Sequence, residues 1–100
     1  MATYAMLTRL SPDAIPNPST IELLGQQVID KLNADCPEAK WIASYAVLGP
    51  CDYLDLFEAP DNETAAKVST LIRTDGRSHS EVWAATEWAK FKAMVHAMPA

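Results

Sequence analysis

YAVLGPCDYLDLFEAPD, which runs from Tyr45 to Asp61, holds two segments of strand-forming residues separated by a Gly-Pro-Cys-Asp turn. Strands joined by so short a connection are antiparallel neighbours, so this stretch predicts a β-hairpin and an antiparallel sheet. A two-residue turn between Gly49 and Asp52 would place Ala46 opposite Asp55. Because side chains alternate along a strand, that register decides which of them share a face.

Outward from the hairpin, the chain alternates between strand and helix patterns. The segments TYAMLTRL (residues 3–10) and RSHSEVWAA (residues 77–85) each predict a strand. Between the first strand and the hairpin, Asn17 can cap a helix that extends to about Ala34, because apolar residues recur there at three- and four-residue steps.

Two further helices are predicted from the same signals. Asp61 is a good cap for a second helix, and Gly76 supplies a left-handed stop for it. Thr86 begins a tail helix in which Trp88 and Phe91 fall on one side.

The resulting order is strand, helix, strand, strand, helix, strand and a final helix. Two strand-helix-strand units that share one sheet give an α+β, ferredoxin-like βαββαβ sandwich with a C-terminal helix. Its principal helices cover one face of a four-stranded antiparallel sheet. A chain of 100 residues, 49% of them hydrophobic, suits a single domain spanning residues 1–100.

Both faces of the predicted sheet are apolar. One side of the hairpin carries Ser44, Ala46, Leu48, Tyr53, Asp55 and Phe57, and the other carries Ala43, Tyr45, Val47, Leu54 and Leu56. A sheet with one face in water should alternate cleanly between apolar and polar residues. We therefore expect a homodimer in which the sheets of two copies pack face to face. The alternative is that the tail helix folds back over its own sheet.

Composition argues against several classes of function. The formal net charge is −5 and the Lys and Arg residues are scattered singly, which disfavours nucleic-acid binding. There is no apolar run of the ~18–20 residues that a membrane span needs and no basic leader, so we expect a soluble, cytoplasmic protein. Cys36 and Cys51 are expected to be reduced, and their spacing relative to His79 and His96 predicts neither a metal site nor a cofactor.

The turn GPCD (residues 49–52), followed by YLDLFEAPDNETAAKVSTLIRTDG and then by EVWAATEWAKF, resembles the GYD-domain family. That family is named for a Gly-x-Tyr-Asp turn between its second and third strands, and the resemblance extends from about Tyr45 to Phe91. It implies a ferredoxin-like fold of the dimeric α+β barrel kind and little chemistry, because the family is largely uncharacterised. The glycine and aspartate match, whereas Cys51 replaces the tyrosine. Tyr53, two residues further on, can present a hydroxyl nearby.

Asp55 is the leading candidate for a proton-transfer residue. A carboxylate on a covered sheet face needs partners or must take up a proton, which suits a general base. The alternatives are a position in contact with water or an ion pair with Arg9, Arg73 or Arg77.

Three further side chains complete the catalytic hypothesis. His79, in the last predicted strand, can pass protons as a neutral imidazole, although a half-exposed surface histidine is the more common alternative. Tyr53 and Tyr45 can orient a carbonyl group by hydrogen bonding.

A ligand-binding hypothesis uses the turn and the aromatic residues. Tyr45, Tyr53, Trp83 and Trp88 can line a pocket for an aromatic molecule, with core or dimer interface as their alternative role. Gly49 and Asp52 complete the predicted ligand-binding set. Alternatively they serve only the turn, where glycine adopts backbone angles that other residues resist and aspartate bonds nearby amides.

The primary expectation is a homodimer of uncharacterised role that binds a small apolar or aromatic molecule in a cleft beside the sheet. One alternative is a cofactor-free enzyme of the oxygenase, isomerase or dehydratase type, an analogy that depends on fold alone. The other is a regulatory or scaffold protein without a pocket.

Overall fold

The computed structural model of the chain describes residues 1–11, 18–74 and 78–99. In chain order the elements are β1 (Ala2–Leu10), α1 (Pro18–Asp35), β2 (Lys40–Ala46), β3 (Tyr53–Ala59), α2 (Asn62–Arg73), β4 (Ser78–Ala85) and α3 (Trp88–Ala97). The strands pair antiparallel in the order β2-β3-β1-β4 across one sheet. This arrangement confirms the predicted α+β, ferredoxin-like fold.

The hydrophobic core lies between the sheet and the two helices that cover it, α1 and α2. Alternate residues of each strand turn toward these helices, and burial of apolar side chains there is the main source of stability. The buried apolar residues are Tyr4, Met6, Leu32, Cys36, Phe57, Ala59, Ala65, Val68 and Ile72.

A row of three aromatic rings crosses the sheet beneath the helices. Tyr4, Phe57 and Trp41 occupy facing positions of β1, β3 and β2. The Phe57 ring centroid lies 5.5 Å from that of Tyr4 and 5.2 Å from that of Trp41, distances typical of stacked rings. At one end of the row, the Tyr4 hydroxyl donates to Asn62 Oδ1 at 2.7 Å. The row thereby fixes the position of the Trp41 indole.

α2 begins where the sequence predicts, with Asp61 as its N-cap. The Asp61 carboxylate accepts the backbone N–H of Thr64 at 2.8 Å and the Thr64 hydroxyl at 2.7 Å, which satisfies one of the free donors at the helix start. On the buried side of the helix, the hydroxyls of Ser69 and Ser80 are 2.7 Å apart and join α2 to β4.

The hairpin register differs from the prediction of a two-residue turn. Ser44, and not Ala46, lies opposite Asp55. The Val47 N–H donates to the Asp52 carbonyl at 3.0 Å, so the connecting loop is longer than expected. Because the register shifts by two residues, the paired side chains of residues 43–46 and 53–57 stay on the faces predicted for them, whereas Val47 and Leu48 lie in the loop.

Of the three helix ends considered next, two lie outside the described residues and one differs from its predicted position. The Asn17 cap and the Gly76 stop lie outside the described residues. Thr86 was expected to begin the tail helix, but α3 begins at Trp88, with Glu87 at the N-cap position and no side-chain hydrogen bond from it.

The uncovered face of the sheet, here called the open face, exposes apolar side chains, and so does α3. On the open face, Tyr45 of β2 and Trp83 of β4 are 55% and 56% exposed. Every residue of α3 is exposed. The alternative, in which the tail helix folds back over its own sheet, is therefore wrong.

Candidate functional site

A cavity of about 250 Å³ lies between α1 and the helix-covered face of the sheet. Four apolar residues on one side of α1 show how it forms. Leu32 is buried, Val28 and Leu24 are half-buried, and Ile21 at the N-terminal end is 37% exposed. Burial falls along this side toward the N-terminal end of α1, and the cavity lies between this side and the sheet.

The wall of the cavity is mostly apolar on the helix side and carries polar groups on the sheet side. The helices contribute Ile21, Leu24, Gly25, Val28, Ile29, Leu32 and Ile72. The strands contribute Met6, Thr8, Leu10, Trp41, Ser44, Tyr53, Asp55 and Ser78. Among these described lining residues, Asp55 is the only carboxylate.

A β-bulge in β2 brings two hydrogen-bonding side chains to Asp55. The pairing register shifts between Trp41 and Ala43, so Trp41 and Ser44 face the cavity together although strict alternation would separate them. The Trp41 Nε1–H is shared between Ser44 Oγ at 3.0 Å and Asp55 Oδ1 at 3.3 Å. Ser44 lies directly opposite Asp55 and also hydrogen-bonds its carboxylate.

The surroundings of Asp55 disfavour its charged form. Burial raises the pKa of Asp55 above its ordinary value of 3.8, and the hydrogen bonds from Ser44 and Trp41 offset only part of that effect. Burial, followed by the negative charge of Asp52, also raises the pKa of Tyr53. The Tyr53 hydroxyl therefore keeps its proton at neutral pH and can donate a hydrogen bond.

The structure divides the predicted site residues between the two faces of the sheet. Asp55 and Tyr53 line the cavity together, two residues apart on β3. His79, Tyr45 and Trp83 lie on the open face, because each alternates with residues that face the helices. The sheet therefore separates Asp55 from His79.

The ion pair weighed for Asp55 is not formed with Arg9, which occupies an alternate position of β1 and so lies on the opposite face. The described partners of Asp55 are Trp41 and Ser44. Arg77 lies outside the described residues.

Asp52 fastens the hairpin loop to the end of β1. Its Oδ2 accepts the Leu10 N–H at 2.7 Å, and its own N–H donates to the Thr8 carbonyl at 2.8 Å. Beside it, the Arg9 Nε–H donates to the Pro50 carbonyl at 2.8 Å. These bonds give Asp52 a structural role in the turn, which is the alternative to its predicted role in ligand binding.

Gly49 and Trp88 also lie away from the cavity wall. A Cβ at Gly49 would meet nothing within 4 Å, and its backbone is not in the left-handed region. The prediction that the turn needs glycine for its backbone angles is therefore wrong. Trp88 is on α3, 67% exposed, with its ring stacked on Phe91 at 5.5 Å.

Sequence reasoning missed Trp41 as a member of the site. Trp41 and Ser44 are three residues apart, so alternation along a regular strand assigns them to opposite faces. The bulge that reunites them has no signature in the sequence, since neither glycine nor proline stands at it. A conspicuous aromatic residue at the start of a strand was the only available signal.

Within residues 1–11, 18–74 and 78–99, no group of three or more His, Cys, Asp and Glu side chains could hold a metal ion. Both cysteines are free, and burial raises the pKa of the Cys36 thiol. Over the same ranges, none of the helices combines the length and the apolar character needed to cross a bilayer.

The GYD domain family model matches residues 4–95, a range that includes the whole cavity wall and the hairpin. The chain belongs to the GYD-domain family. Membership confirms the resemblance seen in the hairpin and extends it to β1 and α1. In this GYD-domain protein the motif tyrosine is replaced by Cys51, and the phenol in the cavity wall is that of Tyr53. Comparison with the curated proteins finds no match.

Proposed function

We propose that this GYD-domain protein binds a small, mostly apolar molecule in the cavity beneath α1, with one polar group of the ligand against Asp55. The observation that carries the proposal is a half-buried carboxylate, held by Trp41 and Ser44, in a wall that is otherwise mostly apolar. Ligand sites typically combine such an apolar wall with a few placed polar groups.

The size and chemistry of the cavity narrow the ligand class. Its volume of about 250 Å³ lies just below the usual range for ligand pockets, about 300–1,000 Å³, so a single-ring molecule suits it better than a fused polycycle. The Asp55 carboxylate accepts hydrogen bonds, and the Tyr53 hydroxyl can donate one. The fitting ligand therefore has an apolar ring and a donor such as an amine or a hydroxyl.

The open face supports the second part of the proposal, a homodimer. Tyr45 and Trp83 are more than half exposed there and flank the half-buried Leu7, Leu54 and Leu56. Contiguous apolar patches of this kind mark interaction surfaces. Packing of two copies across this face leaves the cavity on the outer, helix-covered side of each sheet.

An NMR titration with phenethylamine tests the ligand site. This probe has one aromatic ring and an amine, and it should shift the amide signals of Ser44, Asp55 and Val28 in a saturable manner. Asp55→Asn removes the charge that the amine contacts, so we expect its Kd to rise at least about tenfold. Asp30→Asn, which alters an exposed carboxylate on α1, is the matched control and should leave Kd unchanged.

The pH dependence of binding has a defined sign. The amine binds the ionised form of Asp55, and the pKa of this group is raised above 3.8. Affinity should therefore decline as the pH falls through that raised pKa, at a higher pH than an ordinary aspartate would give. Shifts confined to the open face, or equal Kd values for the wild type and Asp55→Asn, would contradict the proposed site.

A second candidate function is proton-transfer catalysis, which the joint presence of Asp55 and Tyr53 in the cavity wall favours. In this scheme the Asp55 carboxylate takes a proton from a carbon next to a carbonyl, and the Tyr53 hydroxyl donates to the carbonyl oxygen as it gains charge. Return of the proton to carbon completes the cycle without a cofactor. A general base with a raised pKa is suited to such a step at neutral pH.

Exchange of the benzylic protons of phenylacetone in D₂O tests this candidate. The wild type should accelerate exchange, Asp55→Asn should abolish the acceleration, and Tyr53→Phe should reduce it by about 10²-fold or more. Asp30→Asn again serves as the control. Acceleration that survives in Asp55→Asn would exclude Asp55 as the base, whereas binding without any exchange would leave the binding role alone.

A further inference from the structure

α3 projects from the body of the molecule. All of its residues are exposed, and the chain has a longest dimension of 55 Å. Its radius of gyration is 15.4 Å, whereas a compact chain of this length has about 13 Å. Among the described residues, α3 makes no extensive contact with another element. An isolated helix of ten residues is marginal in water, so α3 needs a surface to cover it.

One side of α3 is a continuous apolar stripe. At 100° per residue its members fall within one third of the helix circumference. They are Trp88, Phe91, Met94 and Val95, and Met98 follows them at the C-cap position; all five are 40–67% exposed. The opposite side carries Ala89, Ala93 and Ala97. A stripe of this kind is the pattern of a helix that packs against another surface.

The stripe supplies apolar area that the open face alone lacks. The strongly exposed side chains of the open face and its edge are Tyr45, Trp83 and Ile42, each between 53% and 56% exposed. At roughly 150–250 Å² for a fully exposed large side chain, they offer on the order of 300–400 Å². A stable interface buries about 800 Å² on each partner. The stripe of α3, on the same scale, adds roughly 500 Å² and brings the total to that size.

We propose that α3 is an arm that packs its apolar stripe against a second copy of this chain and so completes the homodimer interface. This inference rests on the proposed homodimer. In a two-fold dimer the arms are exchanged, each copy giving one and receiving one. The short link of Thr86 and Glu87 places the arm directly after the edge strand β4, next to the open face, so the two surfaces form one continuous interface.

A second copy fits better than a lipid surface. An amphipathic helix that binds anionic lipid relies on a basic polar face, and α3 has only two lysines, Lys90 and Lys92. The chain that carries the helix has a net charge of −5, which opposes its approach to an anionic surface. A second copy also has an exposed apolar open face, against which the apolar stripe of the arm can pack. Lipid binding is instead an outcome that the experiments below detect.

Sedimentation equilibrium of full-length variants gives the dimer Kd and tests the arm. Phe91→Lys places a charge in the stripe and should raise the Kd at least about tenfold. Ala97→Lys places the same charge on the opposite side of α3 and should leave the Kd within about twofold. Circular dichroism should show intact folds for both, because no core residue is altered.

The result distinguishes failure of the arm from failure of the dimer. If Trp83→Lys weakens the dimer while Phe91→Lys does not, the open-face dimer stands and the arm is overturned. If the wild type is a monomer at about 100 μM, both fall. A wild type that is monomeric in buffer and binds phosphatidylserine vesicles through Phe91 would also overturn the proposal, in favour of a lipid surface.

Paramagnetic relaxation shows which copy the arm contacts. A nitroxide is attached to the cysteine of Met98→Cys in a Cys51→Ser background. This chain, at natural isotopic abundance, is mixed with ¹⁵N-labelled wild type. Arm exchange predicts broadening of the Tyr45 and Trp83 amide signals of the ¹⁵N chain. Broadening that occurs only within the nitroxide-bearing chain, when that chain is itself ¹⁵N-labelled, would overturn the exchange.

Discussion

Asp55 holds a carboxylate where most neighbouring side chains are apolar. Its two described partners, Trp41 and Ser44, donate to it but carry no positive charge. A charge in such a place costs stability. Its presence therefore indicates that the carboxylate has another use. The use that we propose for it is to bind or deprotonate a small molecule in the cavity.

Replacing Asp55 by Asn should therefore stabilise the protein at neutral pH, with a rise in Tm on the order of a few °C. The amide keeps an acceptor for the Trp41 indole and removes the desolvated charge. Because the pKa of Asp55 is raised in the fold, the native state holds the proton more tightly than the unfolded chain. The free energy of unfolding thus falls as the pH rises from 3.8 through the raised pKa, and the gain in the variant appears over that window.

Thermal unfolding of both proteins between pH 3 and pH 8 checks this sign. The two Tm curves should converge at the acid end and diverge toward neutrality. Asp30→Asn should not stabilise the protein in this way, since Asp30 is exposed and bonded to Gln26. A variant less stable than the wild type at neutral pH would show that the carboxylate is needed by the fold.

At the residue scale, alternation along β3 was sufficient to predict that Asp55 and Tyr53 share a covered face. It could not predict their neighbour Trp41, because the bulge after that residue reverses the alternation. Asp55 and His79 were predicted as alternative proton-transfer residues, and the sequence could not show that they lie on opposite faces of the sheet.

At the element scale, the N-terminal half of α1 lies over the cavity. Gly25 stands in that half and lines the cavity, and a Cβ there would meet nothing within 4 Å. A glycine inside a helix costs roughly 0.5–1 kcal/mol relative to alanine. The open space that it leaves belongs to the cavity.

Two substitutions at Gly25 separate helix stability from ligand binding. Gly25→Ala should raise the free energy of unfolding by about 0.5–1 kcal/mol, because alanine favours the helix and fits without a clash. Gly25→Phe should fill the cavity and abolish phenethylamine binding while the fold is retained. Chemical denaturation and the NMR titration measure the two effects, and undiminished binding by Gly25→Phe would place the ligand elsewhere.

The hairpin loop depends on Asp52, whose carboxylate accepts the Leu10 N–H. Asp52→Ala removes this acceptor and should lower the free energy of unfolding by about 1 kcal/mol. Asp52→Asn keeps an acceptor oxygen in place and is the matched control. Urea denaturation should rank the wild type and Asn variant above the Ala variant, and equal stability of Ala and Asn would show that the bond contributes nothing.

The α2 cap has the opposite pH behaviour to Asp55. Hydrogen bonds from Thr64 lower the pKa of Asp61 below its ordinary value of 3.8. Its stabilising contribution is present above 3.8 and is lost as the pH falls through the lowered pKa. Asp61→Ala should lower Tm more at pH 7 than at the acid end, where the protonated carboxyl of the wild type keeps only a neutral acceptor, whereas Asp61→Asn should retain the neutral part of the cap at both. Loss of Tm that is independent of pH would contradict a role for the charge.

The elements themselves were predictable because their signals are local. The Asp61 cap, the apolar steps of α1 and the hairpin turn each act within a few residues, and all three elements formed where expected. The pairing of Ser44 with Asp55 and the cavity between α1 and the sheet depend on contacts between distant segments. No local pattern contains that information.

At the scale of the whole molecule, the sheet has two apolar faces with different uses. The helix-covered face holds the core and the cavity with Asp55. The open face exposes Tyr45 and Trp83, and it is the face on which we propose that a second copy packs. Sequence alternation predicted both apolar faces. It predicted a ligand cleft beside the sheet without assigning the cleft to either face, because nothing in the sequence reveals the void beneath α1.

A crystal structure of the protein with phenethylamine tests this division most directly. We predict electron density for the ring between α1 and β3, with the amine nitrogen within about 3 Å of an Asp55 carboxylate oxygen. Density for the probe against Trp83 and Tyr45 on the open face, with an empty cavity beneath α1, would contradict the account.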